Sequence, residues 1–443
     1  MQGARVIVVG LGKSGISAAK LCLARGAQVV GTDSAPLDKV SPDAKALGID
    51  IVAGGHAGVR FADSDLIVVS PGVPALPELT DAEARGVEVI GELELASRSI
   101  TAPILAVGGT NGKSTTTTLL AKLLQADGKR VFAGGNLGTP ASEAVSGNYD
   151  AVVLEVSSFQ LERAPSFRPQ VSVLLNITED HLDRYPSFLA YAEAKGNAFV
   201  NQTRGDVAVV PSDDEECERQ ARRGFGRVVH FGAQGDYVVE ARGVFELASG
   251  ERFDLEGSKL FGRHNRENAA AAIAAARALG VGVEATRRAL IEFTPLPHRM
   301  ALAGSVGGIR FYDDSKGTNV GAAVTALRGL SEQRGVLIAG GRDKHGSYGP
   351  LVDALIERGR AAVLIGEAAD RIAAAIDGRV PVERAVSMDD AVGRAYRLAQ
   401  PGDAVLLSPA CSSFDMFKSY ADRGDKFVEA VARLRAAQGE VKS

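Results

Sequence analysis

Short runs of valine, isoleucine, leucine and alanine recur along this chain, alternating with stretches of helical length. The runs lie at 5–9, 28–32, 66–70, 104–107, 151–155, 171–175, 310–313, 335–339, 361–365 and 403–407. Such runs do not alternate apolar with polar residues, so they suit strands buried on both faces. That is the condition of a parallel sheet covered by crossover helices. The expected class is α/β. A chain of 443 residues exceeds what one hydrophobic core serves, and at about 150 residues per domain three are expected.

The proline pair in Thr294-Pro-Leu-Pro-His298 and the polar bridge at 92–102 mark the breaks, since proline lacks an N–H and stiffens the chain. The expected layout is a Rossmann-like N-terminal domain over 1–92, a central P-loop-type domain with a mostly parallel sheet over 93–296, and a Rossmann-like C-terminal domain over 297–443. Lysine and arginine total 50 against 54 aspartates and glutamates. That balance argues against a polyanion-binding surface and hence a nucleic-acid partner. No run approaches a bilayer span, and residues 5–10 read as a strand entering a glycine turn, not as a secretion signal. The three cysteines (Cys22, Cys217, Cys411) form neither a disulfide framework nor a zinc set. A soluble, cytoplasmic protein without membrane insertion is expected.

The sharpest local signal is Gly108-Gly-Thr-Asn-Gly-Lys-Ser-Thr115, between an expected strand and an expected helix over 116–125. Glycines let backbone N–H groups converge on phosphate oxygens, and a helix N-terminus adds partial positive charge. Lys113 can reach the terminal phosphates and the Ser114 hydroxyl can ligate magnesium. The spacing departs from the standard loop, because Val107 precedes the first glycine. Downstream, Glu155 ends one apolar run, and Asn176-Ile-Thr-Glu-Asp-His181 follows another. A carboxylate there is expensive to bury without a cation, and magnesium favours carboxylate and water oxygens.

Gly10-Leu-Gly-Lys-Ser-Gly15, with Asp33 at the end of the next strand, is the dinucleotide fingerprint. It admits NAD as well as other phosphate-bearing nucleotides, and the first segment is short for a six-stranded dinucleotide fold. In the last third, Asp313-Asp-Ser-Lys-Gly-Thr-Asn319, Gly340-Gly-Arg-Asp-Lys344 and Ser408-Pro-Ala-Cys-Ser-Ser-Phe414 follow successive strands. They are expected to converge on one crevice. There Lys344 and the hydroxyls of Ser412 and Ser413 would suit a small anion. Cys411 reads as a packed thiol, and His56, His230 and His345 have no metal-ligand spacing.

Taken in order, Gly109-Thr-Asn-Gly-Lys-Ser114, Glu155, Asn176-Ile-Thr-Glu-Asp-His181, Gly262-Arg-His-Asn-Arg-Glu-Asn268, Pro297-His-Arg299 and Asp314-Ser-Lys-Gly-Thr-Asn319 resemble the Mur ligase family. These are ATP-dependent amino-acid ligases of bacterial cell-wall precursor synthesis. The turn at 10–15 and the segment 408–417 most resemble the branch that adds D-glutamate to UDP-N-acetylmuramoyl-L-alanine. The resemblance implies that Gly12, Lys13, Ser14, Asp33, Ser34, Ser70, Gly72, Asn136 and His181 hold the UDP substrate. It implies that Gly109, Thr110, Asn111, Gly112, Lys113, Ser114 and Thr115 hold ATP, with Asn268 at the adenine, Asp314 at the ribose, and Arg299 and Lys316 beside them. Thr318, Lys344, Ser413, Phe414 and Tyr420 would line the D-glutamate pocket. Arg342 departs from a position often acidic in the family.

The resemblance also implies two magnesium ions, one on Ser114 and Glu155 and one on His181 and Lys195, the latter as a carbamate. The catalytic set is then Lys113, Glu155, His181 and Lys195. Lysine, with a pKa of about 10.4, is a cation and a poor metal ligand; carbamylation would make it an anion with two oxygens. Without the resemblance, Lys195 reads as an exposed helical lysine. The implied reaction passes the ATP terminal phosphoryl group to a carboxylate, and the amine of D-glutamate then displaces phosphate, in a monomeric enzyme. Alternatives are another Mur ligase, a folylpolyglutamate synthetase-like ligase, an NAD-dependent dehydrogenase, and a nucleotide-binding protein without chemistry.

Overall fold

The computed structural model describes residues 1–440 apart from Asp183, Phe261 and 344–346. By packing, these residues divide into two compact units. The first comprises Met1–Ile177, Leu189–Asp254 and Asn268–Ile291; the second comprises Thr178–Phe188, Leu255–Glu267 and the chain from Glu292 onward. Among the described residues no helix is long and apolar enough to cross a membrane.

The first unit holds two sheets. The N-terminal one has five parallel strands in the spatial order Asp50–Ala53, Gln28–Asp33, Arg5–Val9, Leu66–Val69, Glu88–Gly91. The order reverses beside Arg5–Val9, and such a switch opens a crevice at the strand ends. Val6–Val9 and Ile67 lie wholly or almost wholly out of water, because helices cover both faces and leave no exposed side for a polar residue.

The second sheet has nine strands, ordered Glu251–Asp254, Gly243–Glu246, Tyr237–Val239, Arg227–Gly232, Val207–Pro211, Val171–Leu174, Ile104–Gly108, Ala151–Glu155, Val131–Gly135. Only the outer pairings, of Gly243–Glu246 with its two neighbours, are antiparallel. The helix after Ile104–Gly108 starts at Lys113, three residues before its expected start, and runs to Ala126. Gly112 makes the early start possible with φ +85, a conformation that costs other residues a Cβ clash. Gly128, at φ +84, carries the chain out past the other end.

The second unit is built on six strands, in the order Ala301–Val306, Ile309–Asp313, Ala404–Leu407, Gly335–Gly340, Gly359–Ile365, Val382–Arg384. The Ala301–Val306 strand is antiparallel to its neighbour and the other pairings are parallel. The described residues of the three sequence clusters, 313–319, 340–343 and 408–414, sit where expected, at the carboxyl ends of adjacent strands. Leu337, Leu406, Leu351 and Leu355 form part of the core on one face, and Phe311, Val405 and Phe427 part of that on the other.

Candidate active site

In the first unit the phosphate-loop backbone is held from below by Asn176. Its Oδ1 accepts from Asn111 N at 2.9 Å, its carbonyl accepts from Thr110 N at 3.0 Å, and its Nδ2 donates to Asn111 O at 3.2 Å. A methyl group at Gly112 would lie 2.3 Å from Asn268 Oδ1. Buried Asn268 therefore packs on the loop itself. Lys113 folds back over the turn and donates from Nζ to Gly109 O at 3.0 Å and to Thr110 O at 2.8 Å. Helix Lys113–Ala126 begins directly at this cradle, so its N-terminal partial charge faces an anion placed there.

Lys195 is not an exposed helical lysine. It is 4% exposed, and its Nζ donates to Gly109 O at 2.8 Å and stands 4.5 Å from the centre of the Tyr191 ring. The Tyr191 hydroxyl lies 3.2 Å from Thr110 Oγ1. Tyr191 precedes Lys195 by one helical turn on helix Phe188–Gly196 and is absent from the sequence-based set, although the i, i+4 spacing was available to find it. Glu155, 2% exposed at its strand end, accepts from Asn136 Nδ2 at 2.7 Å, while Asn136 N donates to Glu155 O at 2.8 Å. The loop carrying Asn136 and the strand carrying Glu155 thus share one local geometry.

At the N-terminal turn, Gly15 approaches Gly10 so closely that a methyl group would lie 1.9 Å from Gly10 O. Asp33 accepts from Leu11 N at 2.7 Å and from Ala35 N at 2.8 Å, and the Ser70 hydroxyl donates to Gly10 O at 2.7 Å. Asp33 and Ser70 therefore shape the turn. Gly12, Lys13, Ser34 and Gly72 stand exposed around it, with Ser14 half-buried.

The second unit carries the remaining candidates. His181 sits at φ +57, with its N–H on Asp180 Oδ1 at 2.9 Å; the other Asp180 oxygen accepts from Asn319 Nδ2 at 3.0 Å. Asp314 is buried and accepts from Ser408 Oγ at 2.7 Å. Burial pushes its carboxyl up to about 7, partly offset by the Ser408 hydrogen bond and the Arg299 charge. Lys316 holds its ammonium 5.0 Å from the centre of the Tyr420 ring, which meets His298 edge-on. Ser413 is buried and Phe414 is exposed; Thr318 is half-buried. The Ser412 hydroxyl donates to Arg342 O at 3.2 Å, where residues 342 and 412 form an isolated antiparallel bridge. Lys344 lies outside the described residues. Ser408, the first residue of the 408–414 cluster, thus holds Asp314. A cavity of about 310 Å³ opens beside this cluster, between Asp180, Asn319, Val324, Asp343 and Tyr348.

The glycine-rich turn with Lys113 and Lys195 beside it, and Glu155 at a neighbouring strand end, are features suited to a nucleotide-binding α/β protein. Models of the Mur ligase MurD-like N-terminal domain, the Mur ligase middle domain and the Mur ligase glutamate ligase domain match residues 4–91, 107–276 and 298–411 respectively. The chain belongs to the Mur ligase family. It is 45% identical to a UDP-N-acetylmuramoylalanine--D-glutamate ligase of Desulfosudis oleivorans, over 98% of this chain and 97% of that one. To the enzyme of the same name from Geotalea daltonii it is 44% identical, over 98% of each chain. Among solved structures, a pseudomurein peptide ligase type C from Methanothermus fervidus superposes with a TM-score of 0.63 at 17% identity, covering 98% of this chain and 100% of that one. A Mycobacterium tuberculosis folylpolyglutamate synthase gives 0.58 at 16%, covering 72% and 90%. Those structural likenesses describe the fold.

Proposed function

We propose that this chain joins D-glutamate to UDP-N-acetylmuramoyl-L-alanine with conversion of ATP to ADP and phosphate, in the building of peptidoglycan precursors. The observation that carries this reading is the 45% identity to a ligase of that name over 98% of the chain. The site residues named above are assigned on that reading, in the partition 1–92 for the UDP substrate, 93–296 for ATP and 297–443 for D-glutamate. The enzyme acts as a cytoplasmic monomer.

A carboxylate is a poor electrophile, so amide formation needs its activation. The terminal phosphoryl group of ATP passes to the substrate carboxylate, giving an acyl phosphate and ADP. The D-glutamate amine then attacks the acyl carbon; the C–N bond forms as the C–O bond breaks, phosphate leaves with that electron pair, and the nitrogen releases one proton. Lys113 and the N-terminus of helix Lys113–Ala126 steady the phosphate oxygens, and Asn176 keeps the loop in shape for them. Ser114 and Glu155 are suited to hold one magnesium ion, since one offers a hydroxyl and the other a buried carboxylate. Lys195 as a carbamate would offer two oxygens to a second, and His181 is assigned to that ion on the resemblance alone. Bound magnesium would reduce the repulsion between phosphate and carboxylate.

The test is phosphate release from ATP, magnesium and UDP-N-acetylmuramoyl-L-alanine, with one amino acid added at a time. Release that depends on D-glutamate is expected. Dependence on L-alanine or a diamino acid instead would assign the chain another step of the family, and reduction of a nicotinamide would return the turn at 10–15 to a dehydrogenase.

A further inference from the structure

Arg423 is the largest fully buried side chain among the described residues, with no exposure at all. Burying a guanidinium is costly unless its donors are satisfied. Its two Nη groups end on backbone carbonyls of two different loops: Nη2 reaches Ser315 O at 2.8 Å and Cys411 O at 3.2 Å, while Nη1 reaches Cys411 O at 3.2 Å and Ser412 O at 3.4 Å; Nε has no partner among the described residues. A third loop closes over it, since a methyl group at Gly341 would lie 3.2 Å from Nη1 and 2.2 Å from Ser412 O. The next residue, Gly424, is equally constrained: a methyl group there would lie 2.2 Å from His298 Nδ1, 2.5 Å from Ser315 Oγ and 2.7 Å from Asp313 Oδ2. The first turn of helix Tyr420–Glu440 is thus wedged where the loops after strands Ile309–Asp313, Gly335–Gly340 and Ala404–Leu407 meet.

Those loops carry the amino-acid half of the site. Ser315 stands between Asp314 and Lys316, and Cys411 stands two residues before Ser413. We infer that Arg423 is a positioning residue for D-glutamate, tying the loop at 314–319 to the loop at 408–414 so that Thr318 and Ser413 face one ligand. It touches no ligand itself. The planar fork is what the task requires: it spans two carbonyls in fixed directions, whereas an ammonium on a flexible stem makes a point contact. This inference rests on the D-glutamate reading given above.

The experiment uses the full chain. Steady-state phosphate release and thermal unfolding are measured for Arg423→Met and Arg423→Lys. Arg423→Met is expected to raise the D-glutamate KM by at least about tenfold while the UDP-substrate KM stays within about twofold, with Arg423→Lys falling between. A merely structural loss would lower the active fraction, and so kcat, without moving one KM selectively. Millimolar guanidinium ion is expected to restore part of the D-glutamate affinity in Arg423→Ala. An unchanged D-glutamate KM in a folded variant overturns the inference, as does an equal rise in every KM. If Arg423→Met does not fold, Arg423→Lys carries the test; failure of both to fold assigns Arg423 a global role and overturns the local one. If the wild-type protein shows no response to D-glutamate, the functional reading fails instead. The tie is then judged by hydrogen exchange, which Arg423→Lys must accelerate at 315–319 and 411–414 while strand 335–340 stays protected.

Discussion

The side chains of Lys113 and Lys195, 82 positions apart in number, donate to one acceptor, the carbonyl oxygen of Gly109, at 3.0 and 2.8 Å. One lysine belongs to the phosphate loop and the other to helix Phe188–Gly196. Gly109 O therefore marks where the glycine-rich loop and helix Phe188–Gly196 meet. Replacing Lys195 by alanine should lower D-glutamate-dependent phosphate release on the order of 100-fold. A small carboxylic acid should restore part of it by taking the carbamate's place. Full activity without the acid would return Lys195 to a packing role.

Lys113→Ala should abolish ADP formation and leave UDP-substrate binding largely intact, because the turn at 10–15 is built from its own contacts among Gly10, Asp33 and Ser70. Gly112→Ala should act on the same step by a different route. At φ +85 an alanine costs about 1–2 kcal/mol, and its methyl group would meet Asn268 Oδ1 at 2.3 Å. Calorimetry with ATP and with the UDP substrate separates the two ligands; loss of both in Lys113→Ala would contradict the assignment.

Asp314 gives a pH dependence of stability. Its carboxyl is raised from 3.8 to about 7 by burial, so the folded state holds a proton that the unfolded chain releases. Its contribution is full below about pH 4 and is lost as pH rises toward 7, with a slope of at most about 1.4 kcal/mol per pH unit. Asp314→Asn should flatten the Tm profile across that window in the ligand-free protein. A profile identical to wild type would show that the carboxyl is ionised throughout.

Glu92 joins the two sheets of the first unit. Its Oε1 accepts from Ser142 N and Ser142 Oγ, each at 2.6 Å, and the Ser142 hydroxyl lies 2.7 Å from Ser17 Oγ. Its Oε2 has no partner among the described residues, and burial pushes its pKa up. Ionised Glu92 is thus a cost that grows as pH rises through its folded pKa. Glu92→Gln keeps an acceptor for Ser142 and should match or exceed wild-type stability at pH 8. Glu92→Ala strands the Ser142 donors and should lose about 1–3 kcal/mol. Denaturant unfolding at pH 6 and pH 8 reads both; a Gln variant as weak as the Ala variant would exclude a buried-charge penalty.

Features that depend on neighbours in sequence were legible. Strands such as 5–9 and 335–339 are local runs with a single reading once both faces are buried, and Gly108–Thr115 carries its phosphate chemistry in backbone geometry that glycine spacing dictates. The two outer hairpin pairings between 237 and 254 were not, because those strands are short, partly exposed and mixed in composition. Asp33 in its fingerprint position suggested a ligand contact; that its oxygens also accept from Leu11 N and Ala35 N, shaping the turn, was not legible in the spacing.

By itself, the sequence determined the α/β class, the glycine-rich turn between strand and helix at 108–115 and the strand ends at which polar residues collect, since each follows from spacing along a few residues of chain. Tertiary structure alone decided that Lys195 is buried beside Tyr191, that Ser412 turns toward Arg342 O, that Ser408 bonds Asp314 and that Arg423 reaches two loops. The physical reason is that burial and hydrogen-bond partnership are set by groups brought together from distant segments. A polar side chain takes whichever partner the packing supplies, and no local pattern specifies which one that will be.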